Sequence, residues 1–163
     1  MATTPSGRLS LPLHYLRLTL ADSTNWRTRF SAADQAASLA RIHYIRVAGT
    51  SVTSPIAVAE WMDIRFTQAT GSVSSAGYDQ TGDLRLIIQE TVSGTGEADQ
   101  FNNFSNWIGA VIADMLVLAR QPGYLIITDI DLGGGPHRPS EEEQQTLGDI
   151  YQVIMGVSYM GWS

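Results

Sequence analysis

The sequence predicts an α/β (α+β) sandwich: a mostly antiparallel β-sheet packed against one long helix and shorter N-terminal helices. Three observations carry that prediction. Apolar residues recur every third or fourth position from about Ala98 to Ala119, the signature of one long helix. Residues 82–92 and 149–160 alternate apolar and polar side chains, the signature of strands. The full order reads helix, helix, strand, strand, strand, helix, strand, strand. At 163 residues the chain suits one domain spanning 1–163, or one domain with an irregular arm.

The elements follow in order. Leu9, Leu13, Leu16 and Leu20 stand at helical spacing, with Ser10 as a cap and Pro12 tolerable in a first turn, which predicts a helix over Leu11–Ala21. The same stretch also holds leucines at period two, so an extended reading stays open. Asn25–Phe30 is a helical turn. Ser31-Ala32-Ala33-Asp34 reads as a capping box with Asp34 at the third helical position. The Ala-rich run to Arg41 then propagates a helix packed closely on a neighbour, closing an N-terminal helical region of about residues 8–41. Ile42–Val47 turns β-branched and aromatic and reads as a strand.

Gly49–Pro55 is a loop. Ile56–Phe66 is extended, with Met62, Ile64 and Phe66 on one face and Trp61, Asp63 and Arg65 on the other. Thr67–Thr81 holds small polar residues and almost nothing to bury, so it reads as a long loop or mobile hairpin. In the strand Gly82–Val92, Leu84, Leu86 and Ile88 face one way and Asp83, Arg85 and Gln89 the other. The long helix carries Phe101, Phe104, Ile108, Ile112 and Met115. Trp107, Val111 and Leu118 widen its stripe beyond an ordinary core face, and Gln121-Pro122-Gly123 stops it. Tyr124–Leu132 is a strand, Gly133–Gln145 an exposed loop, and Asp149–Met160 the last strand, with Tyr151, Val153, Met155, Val157 and Tyr159 on one face.

Composition narrows the chemistry. No Cys is present, which excludes a disulfide scaffold and a Cys-built zinc site. All ten bases are Arg, so Lys-dependent acyl or phosphoryl transfer and a pyridoxal Schiff base are excluded as well. The longest apolar stretch falls short of the roughly 20 residues of a membrane span, and the N-terminus lacks the pattern of a secretory signal. The charge is −6 overall but uneven, with residues 1–85 at +2 and residues 86–163 at −8. An acidic chain does not wrap nucleic acid tightly. It is compatible with a channel through which DNA slides.

No catalytic constellation emerges, and the chain is expected not to be an enzyme. His14 sits beside the first apolar stripe and His43 in a strand, both readings of a structural imidazole. His137, Asp129, Asp131 and Glu141–Glu143 lie close in sequence, but their spacing breaks the calcium-loop pattern and Pro139 interrupts it. No metal or cofactor is expected. Gly94-Thr95-Gly96 starts like a dinucleotide loop, yet the position that needs a third Gly is Asp99. Ser10, Ser93 and Ser105 lack a nucleophile-elbow context. Four Trp, an over-wide helix stripe and open sheet edges favour lateral assembly instead.

The run GDLRLIIQETVSGTGEADQFNNFSNWIGAVIADMLVLA, followed by GYLIITDIDL, a Pro-bearing loop and GDIYQVIMGVSYM, covers Gly82 to Trp162. It resembles the tail terminator, or tail completion, proteins of long-tailed bacteriophages and prophages. Leu16–Trp26 with Arg27, the Ala-rich run and WMDIRF extend the likeness upstream, in order and spacing. The resemblance implies a structural virion protein that forms a homohexameric ring, caps the tail tube to end its polymerisation, and joins the tail to the head-neck. Its implied partners are further copies of itself, the tail tube protein and a neck or head-completion protein, with DNA meeting it only by passage through the lumen and no membrane involved. The implied place is the head-proximal end of the tail, after assembly in the host cytoplasm. Subunit or tail contacts would fall at Tyr78, Gln80, Trp107, Val111 and Leu118, within residues 68–80 and one helix edge. Glu141, Glu142 and Glu143 would line the lumen or its rim. The alternatives are a neck or head-closure adaptor and, further off, a small soluble enzyme or a peptide-binding adaptor.

Overall fold

Leu84, Leu86 and Ile88 are fully buried, and so are Val153, Met155 and Val157, their ladder partners on the neighbouring strand. That paired apolar face needs a cover, and four helices supply it. A computed structural model describes residues 7, 9–44, 54–68, 78–92, 96–142 and 149–161. The elements run α1 (Leu11–Asp22), α2 (Thr24–Arg29), α3 (Gln35–Leu39), β1 (Ile42–His43), β2 (Ile56–Gln68), β3 (Tyr78–Thr91), α4 (Glu97–Leu118), β4 (Ile127–Asp131) and β5 (Ile150–Met160). The strands form one sheet ordered β1-β2-β3-β5-β4, parallel between β1 and β2 and antiparallel elsewhere. It is the α+β architecture that the sequence predicts.

The long helix matches its prediction closely. Gly96, at φ 101°, turns the chain into α4, and Glu97 and Asp99 place negative charge at its positive end. Phe104, Trp107, Ile108, Val111 and Met115 are buried. They meet Leu13, Leu16 and Leu20 of α1, Trp26 of α2 and the apolar face of the sheet in one cluster. Trp26 stacks on Trp107 at 5.7 Å, and Phe104 and Tyr151 continue the aromatic column. Pro12 sits in the first turn of α1, where its missing N–H costs no hydrogen bond. Among the described residues no helix is long and apolar enough to cross a membrane.

The N-terminal helices depart from the reading in two ways. Asp34 is itself the cap of α3 and accepts from the Ala37 N–H at 2.8 Å, while Ser31 lies outside the helix at φ 54°. A carboxylate at the cap satisfies the N–H three residues on, so the capping role falls on Asp34, three residues later than the Ser-led box would have placed it. Nor does the Ala-rich face pack. Ala36 and Ala37 are exposed, and α3 is held through buried Ser38, whose hydroxyl donates to the Ala21 carbonyl at 2.8 Å. β1 is shorter than expected among the described residues. Tyr44 has left the sheet, its ring under the guanidinium of Arg17, which also donates to the Ile42 carbonyl at 2.8 Å. Residues 45–47 of that predicted strand, and 49–53 of the following loop, lie outside the described residues.

The largest correction falls on residues 56–81. β2 and β3 form a long antiparallel hairpin, so Thr67, Gln68 and Tyr78–Thr81 belong to strands and not to a loop. Residues 69–77 of the predicted loop lie outside the described residues. A bulge at Met62 shifts the register between Trp61 and Asp63. The extra residue reverses the faces beyond it. Ala57, Ala59 and Trp61 turn toward the core, but Asp63 and Arg65 turn to the helix-free side. The simple alternation expected across 61–66 is broken at that point. β4 is also shorter than predicted, because Tyr124 leaves the sheet to donate its hydroxyl to Asp22 at 2.9 Å.

Candidate assembly surface

The helices cover one face of the sheet, and the other carries a distinct chemistry. One row across that helix-free face reads Asp63, Asp83, Ser158 and Asp129; the next reads Glu60, Arg85, Gly156 and Asp131. Ser158 donates to Asp83 at 2.6 Å, Arg85 pairs with Glu60, and Arg65 bonds Asp63 at 3.1 Å. Farther along the same face Val58, Ile87 and Ile154 form an apolar row, and Gln89 donates to Gln152 at 2.5 Å. The face is thus acidic toward one end of the strands and apolar toward the middle.

Beyond the last rung with β5, at Thr81–Met160, the β2–β3 hairpin continues as a two-stranded ribbon. A ribbon without a third strand is weakly supported by its own contacts. Large apolar side chains gather near this end: Met62 is 59% exposed, Met160 51% and Phe66 47%. Exposed apolar groups of this kind beside unpaired backbone are the usual material of a subunit contact.

The sequence-predicted contact residues do not all lie on a surface. Gln80 is buried, its amide donating to the Tyr159 hydroxyl at 2.8 Å. Trp107 and Val111 lie in the core, Trp107 stacked on Trp26 and donating from Nε1 to the Asn25 carbonyl at 3.0 Å. These three have no face left for a neighbour. The width of the α4 stripe has an internal cause: α1 and α2 pack on its flank, so a second apolar side is needed within the chain. Leu118 is half-buried, and the exposed helix positions next to it are Leu116 and Val117. Tyr78 lies in β3, paired with Gln68, and not in a loop.

Glu141 and Glu142 are exposed, and Glu143 lies outside the described residues. The preceding loop is tied to the sheet end where α4 begins. His137 exchanges both backbone bonds with Gln152 at 2.8 Å, and Arg138 reaches Glu97 at 2.6 Å and Asp149 at 3.2 Å. The His137 ring nitrogen Nδ1 sits 2.9 Å from the Gly135 carbonyl. Among the described residues, no three His, Asp or Glu side chains group so as to hold a metal. Partial burial, helped by Arg17, lowers the His14 pKa below its ordinary value, which suits an uncharged structural imidazole.

One feature left no trace in the sequence. Asp114 of α4 reaches the start of α2 and accepts from the Ser23 hydroxyl at 2.8 Å, the Asn25 N–H at 2.9 Å and the Asn25 amide at 3.0 Å. Burial alone would raise its pKa. The hydrogen bonds from Asn25, Ser23 and Thr24 outweigh that and hold the carboxyl below its usual range. Its partners lie some ninety residues away in the chain, and no local pattern marks such a pairing.

The fold defines a two-layer α+β sandwich with one helix-free sheet face. No protein-family model matches the chain, and no curated protein sequence does so either.

Proposed function

We propose that this chain is a structural ring-forming protein of the tail-terminator type, which caps a phage tail tube and joins it to the head-neck. The observation that carries the reading is the helix-free sheet face and its ribbon end, where Met62 and Phe66 stand exposed along the open edge of β2 and Met160 stands exposed at the end of β5. A terminator has to satisfy the edge of the last tube ring and offer no equivalent edge upward, which calls for such a surface on one side of a closed assembly. The resemblance of Gly82–Trp162 in order and spacing to that family supplies the biological setting.

The acidic rows on the helix-free face support the same reading. Glu60, Asp63, Asp83, Asp129 and Asp131 outnumber Arg65 and Arg85 there. Facing a lumen, that charge lets DNA pass without being gripped. The test is solution mass by light scattering over a wide concentration range, with negative-stain images of the same fractions, alone and with isolated tail tubes. Expected is a six-subunit ring with an open centre, free or at tube ends. A protein that neither assembles nor binds tube ends would overturn the proposal.

A further inference from the structure

The sheet ends in two open edges, and these match each other. β1 covers only Ala57 and Val58 of β2, so from Ala59 to Gln68 the far edge of that strand has no partner among the described residues. β4 pairs with β5 on one side and, among the described residues, with no strand on the other. Following the ladders across the sheet, Ile127 stands level with Tyr159, Gly82 and Ile64. Asp129 stands level with Ser158, Asp83 and Asp63, and Asp131 with Gly156, Arg85 and Glu60. The whole of β4 therefore lies at the height of the bare stretch of β2.

Strand sense agrees as well. Successive antiparallel pairs make β4 run against β2. Rotation about an axis along the strands leaves each direction unchanged, so β4 of one copy meets β2 of the next as an antiparallel neighbour. Both edge strands bulge next to the Asp83 row, at Met62 on one side of it and at Thr128 on the other. Such bulges bend a strand and supply the curvature that a closing sheet requires. Exposed apolar side chains flank both edges, Phe66 on one and Ile126 on the other.

We infer that copies of this chain join head to tail, β4 of one against the bare edge of β2 in the next, so that the sheet continues across each boundary with the helices outside. The seam rests on the ring reading above for its closure; the edge pairing does not. Charge selects the register. Level pairing sets Asp129 against Asp63, two like charges directly opposite, which is unfavourable. A stagger of two residues sets Asp129 against Arg65 and leaves one like pair, Asp131 against Asp63, where level pairing makes two, Asp129 against Asp63 and Asp131 against Glu60. Stagger of this kind is the shear by which strands of a closed sheet tilt against its axis. The tilt that accompanies this shear offsets the stagger, so the contact closes into a ring and does not climb into a filament.

The chain has no Cys, so disulfide trapping reads the seam directly. The double variant Arg65→Cys with Asp129→Cys, oxidised where the protein is assembled, is expected to give a ladder of covalent multimers. Each single variant stays monomeric on the same gel, because like positions never meet across a head-to-tail contact. As a second measurement, Arg65→Glu raises the concentration needed for assembly severalfold, and adding Asp129→Arg restores it. Dimers from either single variant overturn the inference, as does a ladder only from Asp63→Cys with Asp129→Cys, or a wild type monomeric at every concentration. A six-subunit mass without any ladder overturns the seam and leaves the ring reading standing. A ladder built into open fibres upholds the seam and sinks the ring.

Discussion

Asp114 shows how much a single carboxylate can organise. It satisfies donors at the start of α2 that α2 cannot bond for itself, and it places negative charge at that helix's positive end. Replacing it with Ala is expected to cost about 1–3 kcal/mol, since charged hydrogen bonds are lost and buried donors stranded. Thermal unfolding near neutral pH checks this. The sign of the pH dependence follows from the lowered pKa. The stabilisation is fully present above the ordinary Asp range and is lost as pH falls through the folded-state value. Melting curves of wild type and Asp114→Asn should therefore converge in acid; a gap that persists or widens there would refute the assignment.

Two glycines separate close packing from mere permissiveness. A Cβ on Gly82 would lie 2.5 Å from the Asp63 carbonyl oxygen and 3.1 Å from the Tyr159 ring, so the β2–β3–β5 crossing needs a residue without one. Gly82→Ala is expected to destabilise by about 1–3 kcal/mol. A Cβ on Gly109 would meet nothing within 4 Å, on the exposed side of α4. Gly109→Ala is expected to stabilise by about 1 kcal/mol, the cost of glycine in a helix interior. Denaturant unfolding of both variants gives opposite signs if the local packing is as described.

At the scale of elements, legibility tracked the reach of the interactions. α4, β3 and β5 were readable because their periodicity is set by one neighbouring layer over many residues. The buried set Leu84, Leu86, Ile88, Val153, Met155 and Val157 follows from alternation alone. The hairpin ends were not readable. Small polar residues around Thr67 and Tyr78 carry little strand propensity, yet backbone pairing across the ribbon holds them extended. The bulge at Met62 was equally hidden, because one inserted residue reverses the faces without altering composition. The wide stripe of α4 pointed outward in the sequence and inward in the fold, since two further helices share its flank.

The whole molecule is an asymmetric object: helices on one side, an acidic and apolar sheet face on the other. With a net charge of −6 and an excess of acids over Arg in the rows of the helix-free face, the free protein should give no shift of duplex DNA at moderate salt. A tight, salt-sensitive complex in a mobility assay would contradict a lumen that DNA merely crosses. Of the surface residues expected from the sequence, Glu141 and Glu142 stand exposed, while Gln80, Trp107 and Val111 belong to the core. The open edges and the row of Asp63, Asp83 and Asp129 could be found only once strand order and register were in hand.

The sequence by itself determined the α+β class, the long helix, the principal strands and the absence of thiols and of Lys, because these rest on periodicity and composition within short windows. Tertiary structure alone decided strand order, the bulge, the Asp114 cap and which apolar residues remain outside. Those depend on contacts between residues far apart in the chain, and burial is a property of the packed layers that no single segment encodes.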